Sequence, residues 1–240
     1  MRHENVRKAL LFGAVALFLC GVGDWLLGYV PLGGEPILFG FLNSNIVQIP
    51  SWFYLASMAL GILSGFGCKA YAPVMVNILG EIGADRHPKM YKVFCFGCAS
   101  APMMFVSFHT ACCLAALFLQ TVIKAGIDAE AVNSAFLIPA AAVLFPFLIW
   151  CFIVDIPITI AFMYFVWKGT LKLPRSAIIL SPLGFSLLTK IIYAVLIVIG
   201  LEQYAFLAGC GESWGHALMC LAFWKSYRNY RGELDEDNRI

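Results

Sequence analysis

Charge is scarce in this chain. Lys, Arg, Asp and Glu make up 12% of its 240 residues, where a soluble domain carries roughly 25%. That scarcity argues against a soluble fold, and nucleic acid is not expected as a partner. Histidine is scarcer still, with four residues. No H-E-x-x-H pair occurs, so the commonest zinc-hydrolase signature is missing. No small-residue cleavage site follows the first apolar run, which is therefore read as a retained span rather than a removed leader. Long polar stretches are missing too, which leaves no room for a separate soluble domain.

Apolar sequence is what the chain has in quantity, at 61% hydrophobic. A helix needs about 20 apolar residues to cross the hydrocarbon layer. Six runs meet that length, at about 9–29, 51–68, 91–123, 135–167, 177–200 and 204–224. The expected fold is an all-α membrane protein, a bundle of six transmembrane helices in one domain over 1–231, with a charged, unstructured tail at 232–240. The lipid bilayer is its expected surrounding, and the cell (inner) membrane the expected location.

The basic residues orient the bundle. Arg2, Arg7 and Lys8 precede the first run; Lys69, Arg86, Lys89 and Lys92 lie between the second and third. Lys168, Lys172 and Arg175 lie between the fourth and fifth, and Lys225, Arg228, Arg231 and Arg239 follow the sixth. Together these are 14 of the 16 Lys and Arg residues, all on one side of a six-span path. Lys124 lies on the other side and Lys190 inside a run. By the positive-inside rule both termini are cytoplasmic.

Local features refine this picture. The third and fourth runs, about 33 residues each, exceed what a bilayer requires and must tilt, kink or project. The fourth contains Pro139, Pro146 and Pro157, which predict bending near Asp155. The external segment 31–50 is too apolar for a free loop and too broken for a span, and is expected to cap the bundle. Gly61 with Gly65, and Gly211 with Gly215, are small-xxx-small pairs. They are read as close packing within the chain rather than as a dimer interface; the oligomeric state is left open. Most of the nine cysteines fall in apolar runs, where cysteine acts as a small apolar residue. Cys95 and Cys98 form a C-x-x-C pattern without the βαβ context of a redox motif.

The chemistry is expected in six ionisable residues at membrane depth: Asp24, His109, Asp155, Lys190, Glu212 and His216. A charge at the bilayer centre costs about 2.5–3.5 kcal/mol even on the gentler scales, so these groups should face inward and find partners. At 1.5 Å per residue, Asp24, Asp155, Lys190 and Glu212 fall about 18–24 Å from the cytosolic span ends. Lys190 is expected to pair with Asp155 or Glu212. Three carboxylates against one ammonium leave a formal deficit, to be met by protons, a monovalent cation, a divalent metal such as zinc, or a cationic ligand.

Three classes of function follow. The first is a proton- or cation-linked carrier or sensor of a small solute. The second is an intramembrane enzyme on a lipid-like substrate, in which Glu212, His216 and His109 would hold zinc. That layout broadly resembles the alkaline ceramidase and adiponectin receptor superfamily, which carries a further histidine pair that this chain lacks. Gly211, Ser213 and Gly215 also spell G-x-S-x-G, but without the strand–turn–helix elbow that activates such a serine. The third class is a structural or assembly role.

Overall fold

The apolar runs fold as helices because each backbone amide must find its partner within the segment once water is excluded. The computed structural model describes residues 3–37 and 42–237. Six long helices dominate it: α1 (His3–Gly28), α2 (Trp52–Glu81), α3 (Pro88–Lys124), α4 (Ala129–Trp167), α5 (Pro182–Val198) and α6 (Gly211–Asp237). Four of them, in α1, α2, α3 and the Leu144–Trp167 part of α4, are long and apolar enough to cross a membrane. Their outward faces are apolar as well, with Val15, Phe66, Met103 and Phe145 all more than half exposed. An apolar outside around an apolar inside is the makeup of an integral membrane protein.

Helix neighbours run α4–α3–α2–α1–α6–α5, and a thinner α4–α5 contact closes the ring. Between Glu81 and Pro88 the chain turns through Gly83, whose φ of 91° suits glycine. The core is densest between α2, α3, α4 and α6, where Phe94 stacks on Phe223 with centroids 5.4 Å apart. Gly61 and Gly65 lie against His109 and Val106 of α3, and Gly211 and Gly215 against Thr189 and Pro182 at α5. Both small-residue pairs are therefore used within the chain.

The segment after α1 forms a two-residue hairpin, β1 (Pro36–Ile37) with β2 (Leu42–Asn43), and then a 3₁₀ turn over Ser44–Gln48. Residues 38–41 at its tip lie outside the described residues. Gln120 of α3 holds this segment down, donating to the carbonyls of Ile46 (2.8 Å) and Ile49 (2.7 Å). Ile46 and Ile49 are buried against Tyr54 and Ala116.

The inner segment 69–92 is expected to extend the second run as a helix up to a turn at His87-Pro88, and α2 does continue to Glu81, with Lys69 outward while Tyr71 and Met75 enter the core. Helix ends depart from the sequence reading in three places. The fifth run starts late: Arg175–Leu180 is a 3₁₀ turn, and α5 begins at Pro182, capped by Ser181. The sixth run is divided, with Glu202–Cys210 forming a 3₁₀ stretch and α6 starting only at Gly211. Finally, the charged tail does not end the helix at 231. α6 runs on to Asp237, since extending a formed helix through good helix formers such as Glu and Leu costs little. Residues 238–240 lie outside the described residues. Pro139, Pro146 and Pro157 sit inside the single helix α4, which is not divided at any of them.

Candidate functional site

Asp24 is near the end of α1, one turn beyond Cys20 on the same face. Across from it stands His109, whose ring fits against α2 because Gly61 has no side chain. A Cβ at Gly61 would collide with His109 Cδ2. His109 Nδ1 lies 3.3 Å from Asp24 Oδ1, and its Nε2 lies 2.8 Å from Ser57 Oγ.

The hydrogen bonds fix the tautomer. Ser57 Oγ donates its one proton to the carbonyl of Gly23 at 2.8 Å. His109 Nε2 must then donate to Ser57 Oγ, and the Cys113 thiol donates to that same oxygen at 3.3 Å. With a neutral ring, Nδ1 would present a lone pair to a carboxylate oxygen. A cation has to lie between them, and one proton suffices. The pair is then neutral, whether written as imidazolium with carboxylate or as imidazole with carboxylic acid. Asp24 Oδ2 is also satisfied, accepting from Ser213 Oγ at 2.6 Å.

Asp24 and His109 border a cavity of about 140 Å³, together with Lys190, Glu212, Ser213 and Ser186. Glu212 comes from the first turn of α6 and Lys190 from the middle of α5. Four of the six expected residues therefore share one space. Phe105 is also part of its lining.

The other two residues form a separate pair behind Phe105, whose ring meets that of His216 edge-on with centroids 5.0 Å apart. His216 Nε2 lies 2.8 Å from Asp155 Oδ1, and Tyr71 Oη lies 3.1 Å from His216 Nδ1. His216 is fully buried and Asp155 is 1% exposed. His216 thus bridges the Tyr71 phenol and the Asp155 carboxylate with its two ring nitrogens. Asp155 Oδ2 has no hydrogen-bond partner.

This arrangement corrects two expectations. Lys190 does not pair with Asp155 or Glu212: among the described residues it makes no ion pair, and it sits exposed on α5. Asp155 is instead taken by His216 across the bundle. The six ionisable groups also do not share one space, since Asp155 and His216 lie outside the cavity. Glu212 and His216 are one turn apart, but the first looks into the cavity and the second into the core between α2 and α4. Both ring nitrogens of His216 are engaged, so Glu212, His216 and His109 do not converge as a metal set in this arrangement. The cluster of potential ligands found among the described residues is Cys20, Asp24 and His109, whose ligand atoms lie within 4.8 Å of one another.

Residues 1–230 match the model of DUF6796, a family of unknown function. The chain belongs to DUF6796. No curated protein and no solved structure matches it. The DUF6796 match spans both polar groups described above, from Cys20 to His216.

In this DUF6796 chain Ser213 is bonded to Asp24, and Asp24 to His109. A serine nucleophile needs the histidine next to it, with the carboxylate behind. Here the order is serine, carboxylate, histidine, so His109 is not placed to take the Ser213 proton directly. Cys20, Ser57 and Tyr71 were missed by sequence reasoning. Cys20 carried one usable signal, its i, i+4 spacing to Asp24. Ser57 and Tyr71 carried none, since each meets its histidine only through the tertiary fold.

Proposed function

We propose that this DUF6796 chain is a six-span protein of the cell membrane, with both termini cytoplasmic, whose cavity binds a small polar solute and couples that binding to protons or a cation. The role is that of a carrier or sensor. One observation carries the reading: Asp24, His109, Lys190 and Glu212, from four different helices, border a single cavity.

The size is right for a small ligand. A cavity near 150 Å³ accommodates a molecule of about six heavy atoms. The charge points to its chemistry. With one proton shared by Asp24 and His109, the lining holds Lys190 against Glu212 and is balanced overall. A solute bearing a cationic group, or a proton arriving with it, would meet Glu212 and the Asp24–His109 pair in that lining. The divided sixth span supports the reading too, since broken helices beside a mid-membrane site are common in carriers. For topology, Arg7 and Lys8, Arg86 and Lys89, and Lys168 and Arg175 sit near helix ends that the six-span path places on one side.

The test uses purified protein in detergent with a chelator present, so that metal plays no part. Thermal stability is followed against pH, against Na⁺ and K⁺, and against a series of small amines. The wild type should respond to pH and to at least one cation or amine, and Glu212→Gln should remain folded and lose the response. A variant that melts earlier with its responses unchanged would assign Glu212 to structure and end this proposal.

A further inference from the structure

We infer that Cys20, Asp24 and His109 form a binding site for one divalent transition-metal ion, of which zinc is the best fit. The inference is independent of solute binding, because it rests on the hydrogen bonds of His109 and on interatomic distances rather than on the cavity's charge.

Geometry comes first. Zinc bonds of about 2.0–2.3 Å at tetrahedral angles set ligand atoms about 3.3–3.8 Å apart. His109 Nδ1 is 3.3 Å from Asp24 Oδ1 and 4.0 Å from Cys20 Sγ. All three ligand atoms lie within 4.8 Å of one another, so the Cys20–Asp24 edge closes by up to about an ångström to complete the set. Imidazole, carboxylate and thiolate are all established zinc donors, and the thiolate disfavours magnesium and calcium.

The second observation is the orientation of the ring. A metal-binding histidine ordinarily donates its other N–H to a fixed acceptor, which aims the free lone pair at the metal. Ser57 is that acceptor, and it is itself anchored on the Gly23 carbonyl. The Nδ1 lone pair is thereby directed at Asp24 and Cys20. Within the protein that lone pair meets the Cys20 thiol at 4.0 Å and the proton shared with Asp24; a metal ion bound by all three groups would take the place of both protons.

Formal charge is the third. A thiolate, a carboxylate and a neutral imidazole around a divalent ion leave no net charge, which suits membrane depth. The cavity borders Asp24 and His109 but not Cys20. A fourth ligand, water or solute, would therefore arrive from the cavity side, as in zinc sites that keep an open position.

The experiment measures metal alone. Purified protein is stripped with chelator, given Zn²⁺ or Co²⁺, and freed of excess ion. Bound metal is then counted by mass spectrometry, and the Co²⁺ form is examined by absorption. The expected results are about one ion per chain, a thiolate-to-cobalt charge-transfer band, and about two protons released per Zn²⁺ into weak buffer. Cys20→Ala should abolish the band, and Ser57→Ala should weaken Zn²⁺ binding about 10- to 100-fold. Glu212→Gln should still bind one equivalent. A wild type that binds no metal, or binds Co²⁺ without the thiolate band, would overturn the site. That spectrum decides the matter even if Cys20→Ala does not fold. Loss of stoichiometric metal in Glu212→Gln with Cys20→Ala unaffected would also overturn it. Because the solute and pH measurements are made in chelator, either reading can fail without the other.

Discussion

His216 Nε2 lies 2.8 Å from Asp155 Oδ1, while Asp155 Oδ2, equally buried, has no hydrogen-bond partner. The pair joins α4 to α6 through the middle of the bundle, and Tyr71 of α2 adds a third helix. A half-satisfied carboxylate at such a crossing makes the fold depend on its one partner.

Removing His216 should therefore be severe. His216→Leu leaves both carboxylate oxygens unpaired and should destabilise the protein by about 3–5 kcal/mol. Adding Asp155→Asn removes the stranded charge and should restore much of that loss. Thermal melting of the two singles and the double gives the coupling directly, and simple additivity would show that the residues do not act as a pair.

Lys190→Met should do little to the fold. Lys190 is exposed and makes no ion pair among the described residues, so its removal should change stability by no more than about 0.5 kcal/mol. A large loss of melting temperature would mean that a carboxylate of the cavity does rely on it.

Gly61→Ala should act on His109 from the opposite helix. The added Cβ would collide with the imidazole ring, so the ring must move away from Asp24 and Ser57. The expected cost is about 1–3 kcal/mol, as for other overpacked sites. His109→Ala in the same chain should recover part of it. If Gly61→Ala is harmless, the ring has more room than the structure gives it.

Gln120→Ala should loosen the segment that Gln120 holds down between α1 and α2. It removes two donors that hold the carbonyls of Ile46 and Ile49, with about 1–3 kcal/mol expected from stranding buried acceptors. Amide exchange over 42–50 should rise while exchange in α2 and α6 stays unchanged. A uniform rise along the chain would point to global destabilisation instead.

Orientation is open to fusion reporters. An enzyme active only in the cytoplasm should work when inserted at Gly169 or fused after Trp224, and should be silent at Gly126 or Gly33. These three glycines sit in turns with positive φ and open space around them. The reverse pattern would invert the topology.

Much of the fold was legible because hydropathy is a property of the chain alone. The runs that became α1, α3 and α4 stand out in composition, and the external cap stands out by being broken. Ends were less legible where the helix type changes: the fifth and sixth runs begin in 3₁₀ turns that hydropathy does not separate from α-helix. The site divided along the same line. Residue type flagged Asp24, His109 and Glu212, since ionisable groups at membrane depth demand an explanation. Their partners did not follow from type. Asp155 meets His216 across 61 positions, and two aspartates and a lysine offered several equally good pairings. Cys20 was passed over because a buried cysteine usually means packing, and only the nearness of His109 gives its sulfur another meaning.

The late start of α6 and the shortness of α5 have a consequence for the surrounding lipid. At 1.5 Å per residue, α5 is about 26 Å long, against a hydrocarbon layer near 30 Å, while α3 and α4 have 37 and 39 residues. On the six-span path proposed above, the side of the bundle formed by α5 is its low wall, where the bilayer would thin or let headgroups dip toward the level of Lys190. Membrane thickness would then be a variable of the protein: thicker bilayers would press apolar chains against the cavity's rim, and thinner ones would bring water to it.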